Sequence, residues 1–469
     1  MAYPPRTRTN GITRRPYILL AAAGAFFLVV QVLILSYQRD PSWDEALYLS
    51  QVRPGFPALR FVASRSRGIV LLIAPVSLAG ASLDLIRVYL MIASSAMLAL
   101  AYACWVPVLG TAAALAGGLL ATTWVALFYG AEVMPNLWSA LLITAAYGAA
   151  LRAPGSSGSV IAAGSLLAAG LVRPLDALVA TAVIAPFLLA HRGWRRSAWM
   201  VGGCVAGVVP WVIEMSVRLG GPTRALSAAV DLGHVGVGAW HNALQHLALT
   251  DGPTIGTETG GSPSIPGLAW WIAVAILCGI GGTLATGTRR EAARVGIGGG
   301  AALLVLYLFL VEGAASRFLL PAYALLEIPC AVGLAVVWRM KRALAAALVV
   351  VGVLWVGWNL DVAARIEARV TSTRGATAAV GDAIQAHAGS RSCGFVSSDG
   401  FPQIAYASGC RGRPLSADRT LAWLADQGNE TARFVVLREE PEQDMGPRLE
   451  YLQTLPPDWR VYRFREPSR

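Results

Sequence analysis

The sequence predicts an all-α polytopic membrane protein of about eleven transmembrane helices, followed by a small C-terminal α/β domain. Three observations carry that prediction. Of the 469 residues, 55% are hydrophobic and 14% are charged, with a mean hydropathy of +0.56, whereas soluble domains carry roughly a quarter charged residues. The apolar residues come in blocks such as Tyr17–Tyr37 and Phe318–Trp338, long enough for the about 20 helical residues that a bilayer requires. The net charge of +11 is also unevenly placed, because from Asp361 to the C-terminus 14 basic and 14 acidic residues cancel. The excess therefore sits among the apolar blocks, where basic residues mark cytoplasmic loops and contacts with anionic lipid. That distribution argues against nucleic acid as a partner and for the lipid bilayer.

The elements follow in order. Residues 1–16 carry Arg6, Arg8, Arg14 and Arg15 and are expected in the cytoplasm. Spans are predicted at 17–37, 83–107, 111–128, 135–151, 159–172, 175–190, 197–217, 268–286, 295–311, 318–338 and 343–360. The first lacks a cleavage site and reads as an anchor. With eleven crossings, Arg152, Arg192/Arg195/Arg196, Arg289/Arg290/Arg294 and Arg339/Lys341/Arg342 all fall on the cytoplasmic side, as the positive-inside rule asks. This parity requires that Ile69–Ala79 does not cross. It is apolar but about half a span, and Pro75 interrupts it, so an interfacial or re-entrant helix is expected. The segment 38–82 then stays on the outer face, with the loop 218–266 and the tail 361–469. Arg173 and Pro174 separate the short spans 159–172 and 175–190, which read as a hairpin. Gly296–Gly300 lies in a span and reads as helix packing. In the tail, helix-like Ala376–Ala388 and Leu421–Asp426 alternate with strand-like Gly394–Ser397, Arg433–Arg438 and Arg460–Arg465, the pattern of a small α/β domain. No internal repeat is found. Four cysteines, Cys104, Cys204, Cys278 and Cys330, sit in apolar segments as packing residues. Cys393 and Cys410 lie in the outer tail, where a disulfide is expected; two unpaired thiols are the alternative.

Candidate chemistry gathers after the first span. Asp40, Asp44 and Glu45 place three carboxylates within six residues, interleaved with Trp43 and followed by Tyr48. Adjacent side chains on a helix point about 100° apart, so Asp44 and Glu45 would face different partners. One could serve as a general base while the other holds a substrate or a neighbouring cation. The competing reading is a solvated helix start, with Pro41 and Ser42 in the first turn and the acids complementing the helix dipole. Glu132 lies at the outer end of the hairpin between the third and fourth spans, as a site residue or a helix-start carboxylate. Asp84 and Arg87, three apart on one helix face, most simply form a local ion pair. His234, His241 and His246 match no zinc signature and read as loop hydrogen-bonding groups. Asn429-Glu430-Thr431 fits a glycosylation sequon, without meaning in the bacterium that the arginine-rich composition suggests.

The run Trp43-Asp44-Glu45-Ala46-Leu47-Tyr48 resembles a motif of the GT-C class of membrane glycosyltransferases, the relatives of protein O-mannosyltransferases and the lipid A aminoarabinose transferase. The half-span at 69–79, Leu85-Ile86-Arg87 entering the second span and Ser316-Arg317-Phe318-Leu319-Leu320-Pro321 opening the tenth agree with it. The resemblance covers the order of elements over most of residues 1–360, making 17–360 a GT-C-like module. The sequence departs from the family where a His-Pro-Pro segment is common: here it reads Ser64-Arg65-Ser66-Arg67-Gly68.

The resemblance implies a hexosyl or pentosyl transferase that uses a polyprenyl-phosphate sugar as donor. It implies Asp44 as general base with Glu45 beside it and inversion at the anomeric carbon. No cofactor is assigned and a divalent metal is not expected, though whether one is required is left open. The leaving phosphate needs cations, and arginine gives phosphate bidentate contacts. Arg317 is the first candidate, and Arg65 and Arg67 follow; interfacial snorkelling and headgroup contact are the competing readings. Asp40, Tyr48 and Glu132 are the candidate acceptor-site residues. The acceptor itself, whether protein, lipid or cell-envelope polysaccharide, is left open. The alternative function is a transporter or flippase of lipid-linked or small solutes, though repeated halves and mid-membrane polar residues are expected there. A catalytically silent assembly partner is a third reading.

Overall fold

The computed structural model describes residues 14–59, 65–152, 156–221, 223–224, 227, 265–311, 315–340, 342–415, 419–427, 430–438 and 448–465. His234, His241, His246 and Asn429 lie outside these residues. The chain divides into two compact units. Unit 1 comprises Met1–Leu33, Ile92–Gly130 and Asn136–Val362; unit 2 comprises Ile34–Met91, Ala131–Pro135 and Ala363–Arg469.

The helices, in chain order, are α1 (Arg15–Ile34), α2 (Trp43–Leu49), α3 (Gly68–Leu78), α4 (Leu83–Ala103), α5 (Val106–Leu109), α6 (Thr111–Ala121), α7 (Trp124–Gly130), α8 (Pro135–Ala150), α9 (Ser156–Val172), α10 (Pro174–Arg192) and α11 (Trp194–Leu219). They continue with α12 (Ile265–Leu284), α13 (Gly287–Phe309), α14 (Leu320–Met340) and α15 (Arg342–Ala388). Among the described residues eight helices are long and apolar enough to cross a membrane, nine if α6 and α7 form one broken span. The predicted spans 135–151 and 159–172 correspond to α8 and α9, of 16 and 17 residues. At 1.5 Å per residue these reach about 25 Å, short of the roughly 30 Å hydrocarbon core.

Unit 1 is held by close helix contacts at small residues. Gly203 and Gly207 of α11 meet the backbone of Ala163 and Leu167 in α9, and Gly170 meets Gly207 in turn. On α13, Gly296 and Gly300 lie against Leu325 and Leu326 of α14, so the glycine run serves packing. The segment that opens with a 3-10 turn at Ser316–Leu319 and continues as α14 is 83% buried along its apolar window, against 28% for α1. It is therefore the central helix of its unit. The α6–α7 pair bends by 77°, which frees backbone groups that apolar surroundings cannot satisfy. The hydroxyls of Thr122 and Thr123 donate to the carbonyls of Leu119 and Leu120, and Asn359 Oδ1 accepts from the Trp124 N–H at 2.9 Å.

In unit 2 the last part of the chain forms β1 (Cys393–Ser397), α16 (Phe401–Ser408), β2 (Arg411–Pro414), α17 (Arg419–Ala425), β3 (Ala432–Leu437), β4 (Leu449–Leu455) and β5 (Trp459–Phe464). The sheet order is β2-β1-β3-β5-β4, parallel across β2-β1-β3 and antiparallel across β3-β5-β4. Phe395, Phe434, Val436, Trp459 and Val461 pack with Val380 and Ile384 of α15, and with Leu47 and Leu59 from the first loop. A disulfide joins Cys393 to Cys410. The helix predicted to end at 360 does not stop there. It runs unbroken to Ala388, because Val362, Ala363, Ile366 and Val370 continue a buried stripe.

Candidate functional site

The Asp44 segment is a short helix with a defined start. Ser42 and Glu45 form a capping box: Ser42 Oγ accepts from the Glu45 N–H at 3.3 Å, and Glu45 Oε2 accepts from the Ser42 N–H at 2.9 Å. That satisfies two orphan donors of the first turn. Glu45 through Leu49 are buried, whereas Asp44 keeps 21% of its side chain exposed.

The adjacent carboxylates face different partners. Asp44 pairs with Arg65. Glu45 enters a buried network with three arginines. Arg87 grips both its oxygens, at 3.0 and 3.2 Å, Arg374 donates at 3.1 Å, and the Val133 N–H donates at 2.8 Å. Glu132 forms an ion pair with Arg39 at 2.7 Å and accepts from Arg374 at 3.0 and 3.2 Å and from Arg87 at 3.3 Å. Glu367 closes the set by pairing with Arg39 and accepting from the Ser36 N–H. Three arginines thus face three glutamates, all six buried. Buried ions are tolerable when they are paired and their remaining valences are hydrogen-bonded. Arg87 meets that condition by also donating to the carbonyls of Arg39, Asp40 and Ala131.

Electrostatics separates the acids further. Burial opposes the charge on Glu132, but Arg374, Arg39 and Arg87 together outweigh it and hold this carboxyl well below the usual range. Asp40, about half-buried, is pushed upward by burial first and by the nearby Asp382 second.

The predicted residues are distributed as follows. Asp40, Asp44, Glu45, Tyr48, Arg65, Arg67 and Glu132 all belong to unit 2, and Arg317 belongs to unit 1. Tyr48 and Glu132 are 4% and 1% exposed. Arg67 donates to Gln51 Oε1 at 2.8 Å. Arg317 sits in the 3-10 turn ahead of α14 with its guanidinium 5.0 Å from the Phe318 ring centroid. The local pair expected between Asp84 and Arg87 is replaced. Arg87 is fully buried and pairs with Glu45 and Glu132, which offer it four carboxylate oxygens where a helix neighbour offers two.

Sequence reasoning missed Arg39, Glu367 and Arg374. It also missed a polar group in unit 1, where Asp176 accepts from Ser139 Oγ at 2.8 Å and from Tyr307 Oη and forms an ion pair with Arg173 at 3.1 Å. There the Arg173 guanidinium lies 5.4 Å from both the Tyr307 and Phe318 ring centroids. The one local signal for Arg39 was its place beside Asp40 at the end of a span.

No protein-family model matches the sequence, and no curated protein is significantly similar to it. Solved structures do share its fold. ArnT from Cupriavidus metallidurans bound to undecaprenyl phosphate matches with a TM-score of 0.69 at 13% identity, over 97% of this chain and 100% of that one. The apo state of the same protein gives 0.68 at 13% identity, over 97% and 99%. The Archaeoglobus fulgidus oligosaccharyltransferase, in complex with zinc and sulfate, gives 0.51 at 12% identity, over 89% of this chain and 67% of that one. The likeness is one of fold: the chain is a multi-pass membrane protein with the GT-C glycosyltransferase fold that its sequence resembles.

Proposed function

We propose that the chain is a glycosyltransferase that moves a hexosyl or pentosyl unit from a polyprenyl-phosphate donor to an extracytoplasmic acceptor hydroxyl, with inversion. Asp44 is the general base in this reading. The observation that carries it is the split between two neighbouring carboxylates in a chain with this fold. Glu45 is engaged by the buried arginines and fixes the helix, so Asp44 is the member of the pair with access to solvent.

In the reaction, the acceptor hydroxyl gives its proton to Asp44 as its oxygen attacks the anomeric carbon. The bond from that carbon to the phosphate oxygen breaks, and its electron pair leaves with the lipid phosphate. The leaving group is already anionic, so it needs positive charge and no strong acid. Arg65, Arg67 and Arg317 supply that charge. Arg65 has a second part to play: it holds Asp44 before the donor arrives, and a donor phosphate competes for the same guanidinium. Donor binding thereby releases the base. Undecaprenyl phosphate bound to ArnT supports a lipid phosphate as the donor's anchor. Asp40 serves the acceptor, while the buried Tyr48 and Glu132 act by positioning. The N-terminus lies in the cytoplasm, and residues 361–469 meet the acceptor outside.

The test is transfer of label from a radiolabelled polyprenyl-phosphate sugar in membranes lacking other transferases. Asp44→Asn is expected to insert and fold normally yet lose transfer by about 10²–10⁴, the usual worth of a general base. Normal activity in that variant removes Asp44 from the role. Uptake of solute without covalent product would point to the transporter instead.

A further inference from the structure

Helices α9 and α11 of unit 1 enclose a groove of about 690 Å³ lined by Val160, Gly164, Leu167, Trp194, Arg195 and Gly202, among others. From its floor and mouth we infer a binding site for a single anionic phospholipid, with one acyl chain along the helices and the phosphate at Arg195. This inference is independent of the proposed transfer reaction.

The floor is the first observation. The same two helices use glycine in two distinct ways. At Gly203 and Gly207 an added Cβ would strike the backbone of α9, so these positions are explained by helix contact. At Gly164 and Gly202 an added Cβ meets nothing within 4 Å. A glycine inside a helix costs roughly 1 kcal/mol relative to alanine, and no protein atom uses the space these two leave. In a bilayer such space is filled by lipid chain.

The mouth is the second. Arg195 lies over the Trp194 ring at 5.8 Å, and among the described residues it has no carboxylate partner. The nearby Glu291 is already engaged by Arg192, at 2.5 and 3.1 Å. Arg196 is directed to the carbonyls of Ala150 and Arg152. The helix end therefore carries an excess of positive charge, with Trp194 and Trp199 exposed beside it as interfacial aromatics are. Dimensions agree as well. From Trp194 to Ala206, the limits of the lining on α11, the helix rises about 18 Å at 1.5 Å per residue. One leaflet of the hydrocarbon core is about 15 Å deep. A phosphate at Arg195 thus places one chain along the whole groove.

Native mass spectrometry of the full chain, purified in detergent, tests the site with phosphatidylglycerol and phosphatidylcholine of identical acyl chains. The wild type is expected to retain one phosphatidylglycerol at about fivefold lower lipid concentration than phosphatidylcholine, the worth of one basic residue near an anionic headgroup. Arg195→Ala should bring the two lipids to parity with the chromatographic profile unchanged. Gly202→Leu should reduce retention of both. Equal retention by the wild type, which needs no variant, or an unchanged preference in Arg195→Ala overturns the inference.

Discussion

Glu132 shows most directly how the candidate base is held. It is bound by Arg39, Arg87 and Arg374 at once, and two of these also hold Glu45, the neighbour of Asp44. Replacing Glu132 by glutamine leaves three buried arginines facing two carboxylates. An uncompensated buried charge costs about 3–5 kcal/mol, so Glu132→Gln should lower the thermal midpoint of the purified protein markedly. The acid response follows from the same contacts. The carboxyl is held below its ordinary range, so its contribution is fully present above that range. It is lost as the pH falls from there through the depressed value. The midpoint of the wild type should thus hold steady down to the ordinary carboxylate range and fall below it, and Glu132→Gln should show a flatter acid limb. Parallel curves for the two proteins would take Glu132 out of the acid response.

At the scale of the element, α2 rests on the α/β domain rather than on its own propensity, since seven residues are too few for a stable isolated helix. Leu47 joins the core beneath the sheet. Trp43 stacks edge-on against Phe401 at 5.0 Å, and Arg53 donates to the Tyr406 carbonyl at 3.0 Å. Both partners lie on α16, whose end is tied to β1 by the disulfide between Cys393 and Cys410. The bridge spans 17 residues of sequence, and closing a loop of that length is worth about 3 kcal/mol. Cys410→Ser should therefore lower the melting temperature, and addition of reductant should do the same to the wild type. A wild-type transition indifferent to reductant would show that the bridge contributes nothing. The spans and three of the strands were legible in the sequence, because a span announces itself by a run of apolar residues and β1, β3 and β5 by their β-branched and aromatic members; β2, which reads Arg-Gly-Arg-Pro, and β4 were not. The capping box was not read, although its signal is local: Ser42, expected in the first turn, is the N-cap and pairs with Glu45. The ion network was not legible, because its partners lie 242, 328 and 329 residues apart and arginine looks the same whether it serves a buried carboxylate or a loop. The continuation of α15 was hidden for a related reason. Its polar residues beyond Asp361 suggest a break, and only the packing of Ile366 and Val370 shows otherwise.

For the whole molecule, the decisive question is which side of the membrane each segment occupies, and α3 decides it. The helix Gly68–Leu78 has 11 residues, which at 1.5 Å per residue reach about 16 Å, roughly half of a 30 Å core. With α3 non-crossing and the short α8 and α9 crossing, eleven helices or bent pairs overlap the predicted spans, from α1 to α15. An odd number of crossings puts the N-terminal segment and the C-terminal domain on opposite faces. The arginine clusters near 152, 192–196, 289–294 and 339–342 then share the face of the N-terminus, as the positive-inside rule requires. Were α3 to cross, the count would be twelve, both ends would share one face and every later cluster would be turned outward. Fusions discriminate between the two arrangements. Green fluorescent protein should fluoresce after the last residue of the cytoplasmic N-terminal segment and stay dark after Arg469, while alkaline phosphatase should be active after Arg469 and inactive in the loop at 153–155. Fluorescence at Arg469 would mean an even number of crossings, with α3 crossing or one of the short helices α8 and α9 not crossing. Were α3 to cross, Asp44 and Arg65, on its near side, would face the opposite compartment from the α/β domain, yet Leu47 and Trp43 are packed into that domain's core and against its helix. The packing keeps the candidate base with the domain that holds it, and the charge parity leads to the same expectation, that α3 dips into the outer leaflet and returns.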